Sequence, residues 1–162
     1  MYSRILVPID GSDASNVGLR EAIKLAGALH ACLRLINVVD AAAVLSSEAG
    51  AASYDTFIDA SRRLGADLLH ASEAIVSHAG LDVDTALVEA HGASVGECVA
   101  NKAREYHADL IVCGTHGRRG MRRLLMGSDA EYIVRNSPVP VVLVRARDGM
   151  REMVPVAAGA TA

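Results

Sequence analysis

Leu110-Ile111-Val112-Cys113-Gly114-Thr115-His116-Gly117 sets a dense apolar run directly before a glycine, with a second glycine three residues on. A run this short and rich in branched aliphatic side chains reads as a strand buried on both faces, the habit of a parallel sheet. Runs of the same kind recur at Ile5–Ile9, Leu33–Val39 and Val141–Val144, and Val83 with Ala86–Val88 supplies a further, partly alternating strand. Between them the period turns helical, at Gly18, Ala22, Leu25, Ala26 and Leu29, at Leu64, Leu68, Ala71 and Ile75, and at Val95, Val99 and Lys102-Ala103. The order β-α-β-α-β-α-β-α-β predicts an α/β fold: an open, doubly wound, five-stranded parallel sheet with helices on both faces and right-handed crossovers. Strand order 3-2-1-4-5 is expected, because it makes the first and fourth strands neighbours where the order reverses. Ligands of such sheets bind there, outside the carboxyl ends of the strands.

Composition bounds the rest. The chain has 162 residues, 51% of them hydrophobic, enough to bury one substantial core. A formal charge of -3 argues against a general nucleic-acid binder, and scarce aromatics argue against stacking as the main mode of ligand capture. No apolar run reaches the ~18 residues of a membrane helix. Nor does the amino terminus have the form of a signal peptide, since Arg4–Asp10 is already strand-like, so the expected location is cytoplasmic. Cys32, Cys98 and Cys113 match neither zinc-site nor disulfide spacing and are read as buried thiols in a reducing compartment. Ser12 with Asp13, and Ser128 with Asp129, are expected to open helices, and Asn136-Ser137-Pro138 to end one. Ala41–Ser53 has no clear period and is expected to be a mobile connection.

Two strand-leaving loops carry unusual chemistry. The first strand ends Pro8-Ile9-Asp10-Gly11-Ser12, with a carboxylate at its carboxyl end. The fourth runs from Gly114 through Gly117 and Arg118, Arg119, Arg122 and Arg123 to Gly127-Ser128-Asp129. Glycines at 114 and 117 allow positive φ and close backbone approach, so that N–H groups can converge on anionic oxygens. Gly127-Ser128 at a helix start adds N–H donors, a hydroxyl and the positive end of a helix dipole. Together these suit a di- or triphosphate, with Arg118 and Arg119 as possible phosphate contacts. No Lys precedes Ser128, so the loop is not a P-loop, and it lacks the G-x-G-x-x-G spacing of dinucleotide folds.

The spacing Gly114-x2-Gly117-x9-Gly127-Ser128 resembles the ATP-binding signature of universal stress proteins. The resemblance runs from Ile5-Leu6-Val7-Pro8-Ile9-Asp10-Gly11-Ser12 to Ser137-Pro138-Val139-Pro140-Val141-Val142-Leu143-Val144. It implies a nucleotide-binding domain over residues 1–146; the tail, residues 147–162, falls outside it, ends in small residues and is expected to be disordered. It also implies that Pro8 and Asp10 lie beside the adenosine and that Val38 packs near the adenine. Gly114, Thr115, His116 and Gly117 would wrap the ribose and phosphates, with Cys113 also among the nucleotide-binding residues, while Gly127, Ser128 and the Asp129 backbone hold the phosphate tail. The implied cofactor is ATP or a related adenine nucleotide, with any Mg brought in by the nucleotide. Ile9 and Asn37 depart from the common pattern.

Blander readings stand beside these. Asp10 can be a turn carboxylate, Gly114 and Gly117 can relieve a tight turn, and the arginines can form a solvated face. His116 has no identifiable partner carboxylate and is read as a wall of the site, with no catalytic residue assigned. The leading expectation is an ATP-binding regulatory protein of the stress response with slow or no hydrolysis. The alternatives are an interaction module of the same fold with an empty site, and a slow ATPase. Val141-Val142-Leu143-Val144, an apolar edge strand in the expected order, predicts a homodimer, and the resemblance points the same way.

Overall fold

The computed structural model describes residues 1–40, 51–115 and 127–145. His116, Gly117, Arg118, Arg119, Arg122, Arg123 and the carboxyl-terminal tail lie outside the described residues, as does 41–50 of the expected connection. The elements, in order, are β1 (Arg4–Pro8), α1 (Asp13–Leu29), β2 (Cys32–Val39), α2 (Ala51–His78), β3 (Val83–Glu89), α3 (Val95–Glu105), β4 (Leu110–Gly114), α4 (Ser128–Asn136) and β5 (Val141–Val144). Ala51–Ser53, expected in a connection, instead belong to the start of the 28-residue helix α2.

The strands form one parallel sheet of order β3-β2-β1-β4-β5, as the expected reversal requires. Side chains alternate across it with the period of two that a strand imposes. Ile5, Val7, Leu33, Leu35, Leu110 and Val112 point to one face, under Leu19, Ala22 and Ala26 of α1 and Leu69 and Val76 of α2. Leu6, Ile36, Ile111 and Cys113 point to the other, under Cys98, Val99 and Ala103 of α3 and Ile133 of α4. Both faces are therefore core, which is why the strands read as continuous apolar runs rather than alternating ones.

Two expectations are corrected. The stripe of α2 that faces the sheet is Ile58, Gly65, Leu69, Ser72 and Val76, while Leu64 and Ile75 are exposed. Small size decides the phase: a Cβ at Gly65 would collide with the Asn37 side chain and stand 2.7 Å from Leu87 Cδ1, so the helix can come down on the sheet only there. Second, Cys98 and Cys113 are buried, but Cys32 is exposed, at the first position of β2 near the Asp82 carboxylate. Among the described residues no helix is long and apolar enough to cross a membrane, and no cluster of His, Cys, Asp and Glu is arranged to hold a metal ion.

Candidate functional site at the carboxyl edge of the sheet

The turn after β1 is built from its own polar side chains. Asp10 Oδ1 accepts the Ser12 N–H at 2.9 Å and the Ser12 hydroxyl at 2.6 Å, Gly11 between them taking a φ of 79°. Ser12 Oγ, the N-cap of α1, in turn accepts the Ser15 N–H at 3.1 Å, and the Asp10 N–H donates to Ser15 Oγ at 3.1 Å. Asp10 thus acts as a turn carboxylate in a small interlocked ring, and Ser12 caps α1 as its position predicts. Sequence reasoning missed Ser15, which is buried inside that ring. It also missed the role of Asn37, whose Nδ2 donates to the Ile9 carbonyl at 2.7 Å and fixes where β1 ends. The available signal was an amide interrupting the apolar run Leu35-Ile36-Asn37-Val38.

β1 and β4 are neighbours, and the end of β4 packs against the first turns of α1, just beyond the turn after β1. A Cβ on Gly114 would stand 2.5 Å from the carbonyl carbon and oxygen of Ala14, and one on Gly18 would stand 3.2 Å from the Gly114 nitrogen. Close backbone approach, not positive φ, is what requires glycine at 114, because Gly114 is an ordinary strand residue. Beyond it the Thr115 N–H donates to the Val144 carbonyl at 3.0 Å, and the Gly127 N–H donates to the Thr115 carbonyl at 2.9 Å. Thr115 and Gly127 therefore stand together at the two ends of the 116–126 segment, and α4 starts at the carboxyl edge of β4.

Gly127 is the N-cap of α4 and makes no side-chain cap bond, unlike Ser12 of α1 and Ser94 of α3. The first-turn N–H groups of a helix have no intrahelical acceptor, and here their own cap offers none. Ser128 is exposed, and the Asp129 side chain reaches away to α3, accepting the Gly96 N–H at 3.1 Å. Pro8 and Val38 are half-buried, and their strand positions put both on the α3/α4 side of the sheet, the side on which α4 begins. Cys113 is buried on the same face of the sheet, and burial pushes its thiol up to about 12, so it stays protonated at neutral pH. Burial, aided by the nearby carboxylates of Glu97 and Asp40, also raises the Cys98 thiol. Neither is poised as a nucleophile.

The structure thus brings together Pro8, Asp10, Val38, Cys113, Gly114, Thr115, Gly127, Ser128 and Asp129 along one edge of the sheet. Comparison with known proteins gives this arrangement a lineage. The model of the universal stress protein family matches residues 1–145. The chain is similar to a putative universal stress protein of Staphylococcus saprophyticus, 33% identical over 149 residues that cover 91% of this chain and 86% of that protein. Among solved structures it is similar to the universal stress protein UspA of Lactobacillus plantarum, with a TM-score of 0.77, 26% identity, and coverage of 89% of this chain and 98% of that one. Its fold is also shared by a universal stress protein solved with cAMP (TM-score 0.63, 23% identity, covering 89% and 97%) and by one from Archaeoglobus fulgidus solved with dAMP (0.62, 22%, covering 88% and 97%). A family match over nearly the whole described chain, on the same sheet order, means that this protein belongs to the universal stress protein family.

Proposed function

We propose that the carboxyl edge binds an adenine nucleotide, ATP being the form expected, and that occupancy regulates the protein rather than feeding a fast reaction. The observation that carries the reading is the start of α4. Its cap, Gly127, has no side-chain acceptor, its first turn opens at the sheet's carboxyl edge, and the Thr115 carbonyl holds it there. First-turn amides and a helix dipole in that position suit a phosphate group. The Gly127 and Thr115 N–H groups already have backbone acceptors, so the amides of Ser128, Asp129 and Ala130 are the better phosphate donors, with the Ser128 hydroxyl beside them. Pro8 and Val38 offer apolar surface for the base. Two proteins of the same fold hold cAMP and dAMP, which supports an adenine nucleotide over other phosphates. Calorimetry with ATP, AMP and GTP, with and without Mg, tests the reading. Micromolar binding of an adenine nucleotide is expected, and absence of both heat and thermal stabilisation at millimolar concentration would leave the interaction-module reading in its place.

The same proposal includes a homodimer. Among the described residues β5 is an edge strand paired with β4 on one side, and its Val141, Val142, Leu143 and Val144 are all half-buried. An apolar edge of this kind invites pairing with its own copy. Sedimentation at tens of micromolar should give a dimer, and a monomer there contradicts the assembly.

A further inference from the structure

Asp129 sits in the first turn of α4, where a carboxylate ordinarily serves the amides of its own helix. Instead its Oδ1 accepts the N–H of Gly96, in the first turn of α3, at 3.1 Å. Ser94 Oγ takes the Glu97 N–H at 3.1 Å, so the first turn of α3 is capped twice, once by its own N-cap and once from α4. The closeness is specified by sequence. A Cβ on Gly96 would stand 2.9 Å from the Asp129 carbonyl oxygen and 2.8 Å from Tyr132 Cβ, so glycine is what lets the two helices start side by side. α4, for its part, begins at Gly127 without a side-chain acceptor.

We infer that Asp129 is a positioning residue: its carboxylate latches the start of α4 to the start of α3 and thereby fixes where the first-turn amides of α4 stand. The latch also holds the carboxylate away from those amides, leaving them to an anion. Its functional consequence rests on the nucleotide reading above. The sign of the effect separates the latch from plain electrostatics. A carboxylate near a phosphate site repels the phosphate, so if position did not matter, removing the charge would tighten binding. If the latch matters, Asp129→Ala weakens binding although it removes a negative charge. Asp129→Asn keeps an acceptor oxygen without the charge and binds at least as well as the wild type.

The test compares the whole chain as wild type, Asp129→Ala and Asp129→Asn, reading amide hydrogen exchange by NMR without ligand and then ATP affinity. Asp129→Ala should speed exchange of the Gly96 N–H on the order of tenfold, the scale of a lost hydrogen bond to a charged group, and speed exchange in the first turn of α4 as well. Its ATP dissociation constant should rise about threefold to tenfold, and the Asn variant should restore both readings. Unchanged exchange at Gly96 in the Ala variant overturns the latch. So does tighter ATP binding by Ala and Asn alike. Should the wild type bind no ATP, the nucleotide reading falls, and the exchange measurement by itself decides the latch.

Discussion

At the amino end of the sheet, Asp109 accepts the N–H groups of Ser3 and Arg4 at 2.8 and 3.0 Å and the Ser3 hydroxyl at 2.9 Å, tying the start of β1 to the start of β4. Nearby, Arg34 grips Asp84 through two nitrogens, at 2.7 and 2.5 Å, and its guanidinium lies 4.1 Å from the centre of the Tyr106 ring. At the carboxyl end, by contrast, backbones crowd together at Gly18, Gly96 and Gly114, and α4 opens without a side-chain cap. Charged side chains answer polar groups at both ends, Asp10 and Asp129 doing so at the carboxyl one, but at the carboxyl end glycines also remove side chains and a helix opens without a side-chain cap. The difference teaches that the proposed ligand edge is marked as much by missing side chains as by polar ones, at the end where α/β sheets bind ligands.

The comparison breaks most sharply at Gly114. Gly114→Val would drive its side chain into the Ala14 backbone, and backbone cannot swing aside, so a loss of about 3 kcal/mol or more is expected in the urea midpoint, with nucleotide binding lost alongside. Gly27 is the control, because a Cβ there meets nothing within 4 Å. Gly27→Ala should raise stability by about 0.5–1 kcal/mol through helix propensity. If both substitutions cost the same, crowding is not what distinguishes the carboxyl edge.

A smaller effect is expected at the turn after β1. Ser12→Ala removes the cap of α1 and one partner of Asp10, for a loss of about 1 kcal/mol by denaturant titration. No measurable loss would mean that Asp10 and Ser15 hold the turn without it.

At the amino end the signature is in acid. Desolvation of Asp109 works to raise its pKa, but the N–H groups of Ser3 and Arg4 outweigh it and hold the carboxyl below its ordinary value. A depressed folded-state value gives stability that is present above the unfolded value, about 3.9, and is lost as the pH falls through the lower folded value. The gap between wild type and Asp109→Ala in urea midpoint should therefore be constant from pH 7 to about 5 and narrow below about 4. A gap independent of pH would show that the clamp works by packing alone.

How much of this was legible in the sequence depended on which signal each element used. β5 matched its apolar run residue for residue, because its half-buried side chains pack against the core on both faces and leave an unbroken apolar run. The sheet order followed from bringing the two odd loops together at the reversal. α2 was read a residue out of phase, because periodicity weighs Leu64 and Ile75 over Gly65 and Ser72, whereas close approach to Asn37 and Leu87 selects the small residues. Cys32 misled for a related reason: an apolar neighbourhood in sequence says nothing of a position at the exposed start of a strand. At the candidate site, spacing singled out Gly114 and Gly127, and a place at the carboxyl end of a strand singled out Asp10. The reach of Asp129 to Gly96 spans 33 residues and leaves no local pattern.

The central claim is that the carboxyl edge, and not the amino edge, is the nucleotide site. An ATP titration followed in two-dimensional amide NMR reads both ends of the sheet at once. The account predicts saturable shifts at Ser128, Asp129 and Ala130, with Ser3, Arg4 and Asp109 unmoved. Shifts centred on the amino end, or none anywhere at millimolar ATP, would contradict it.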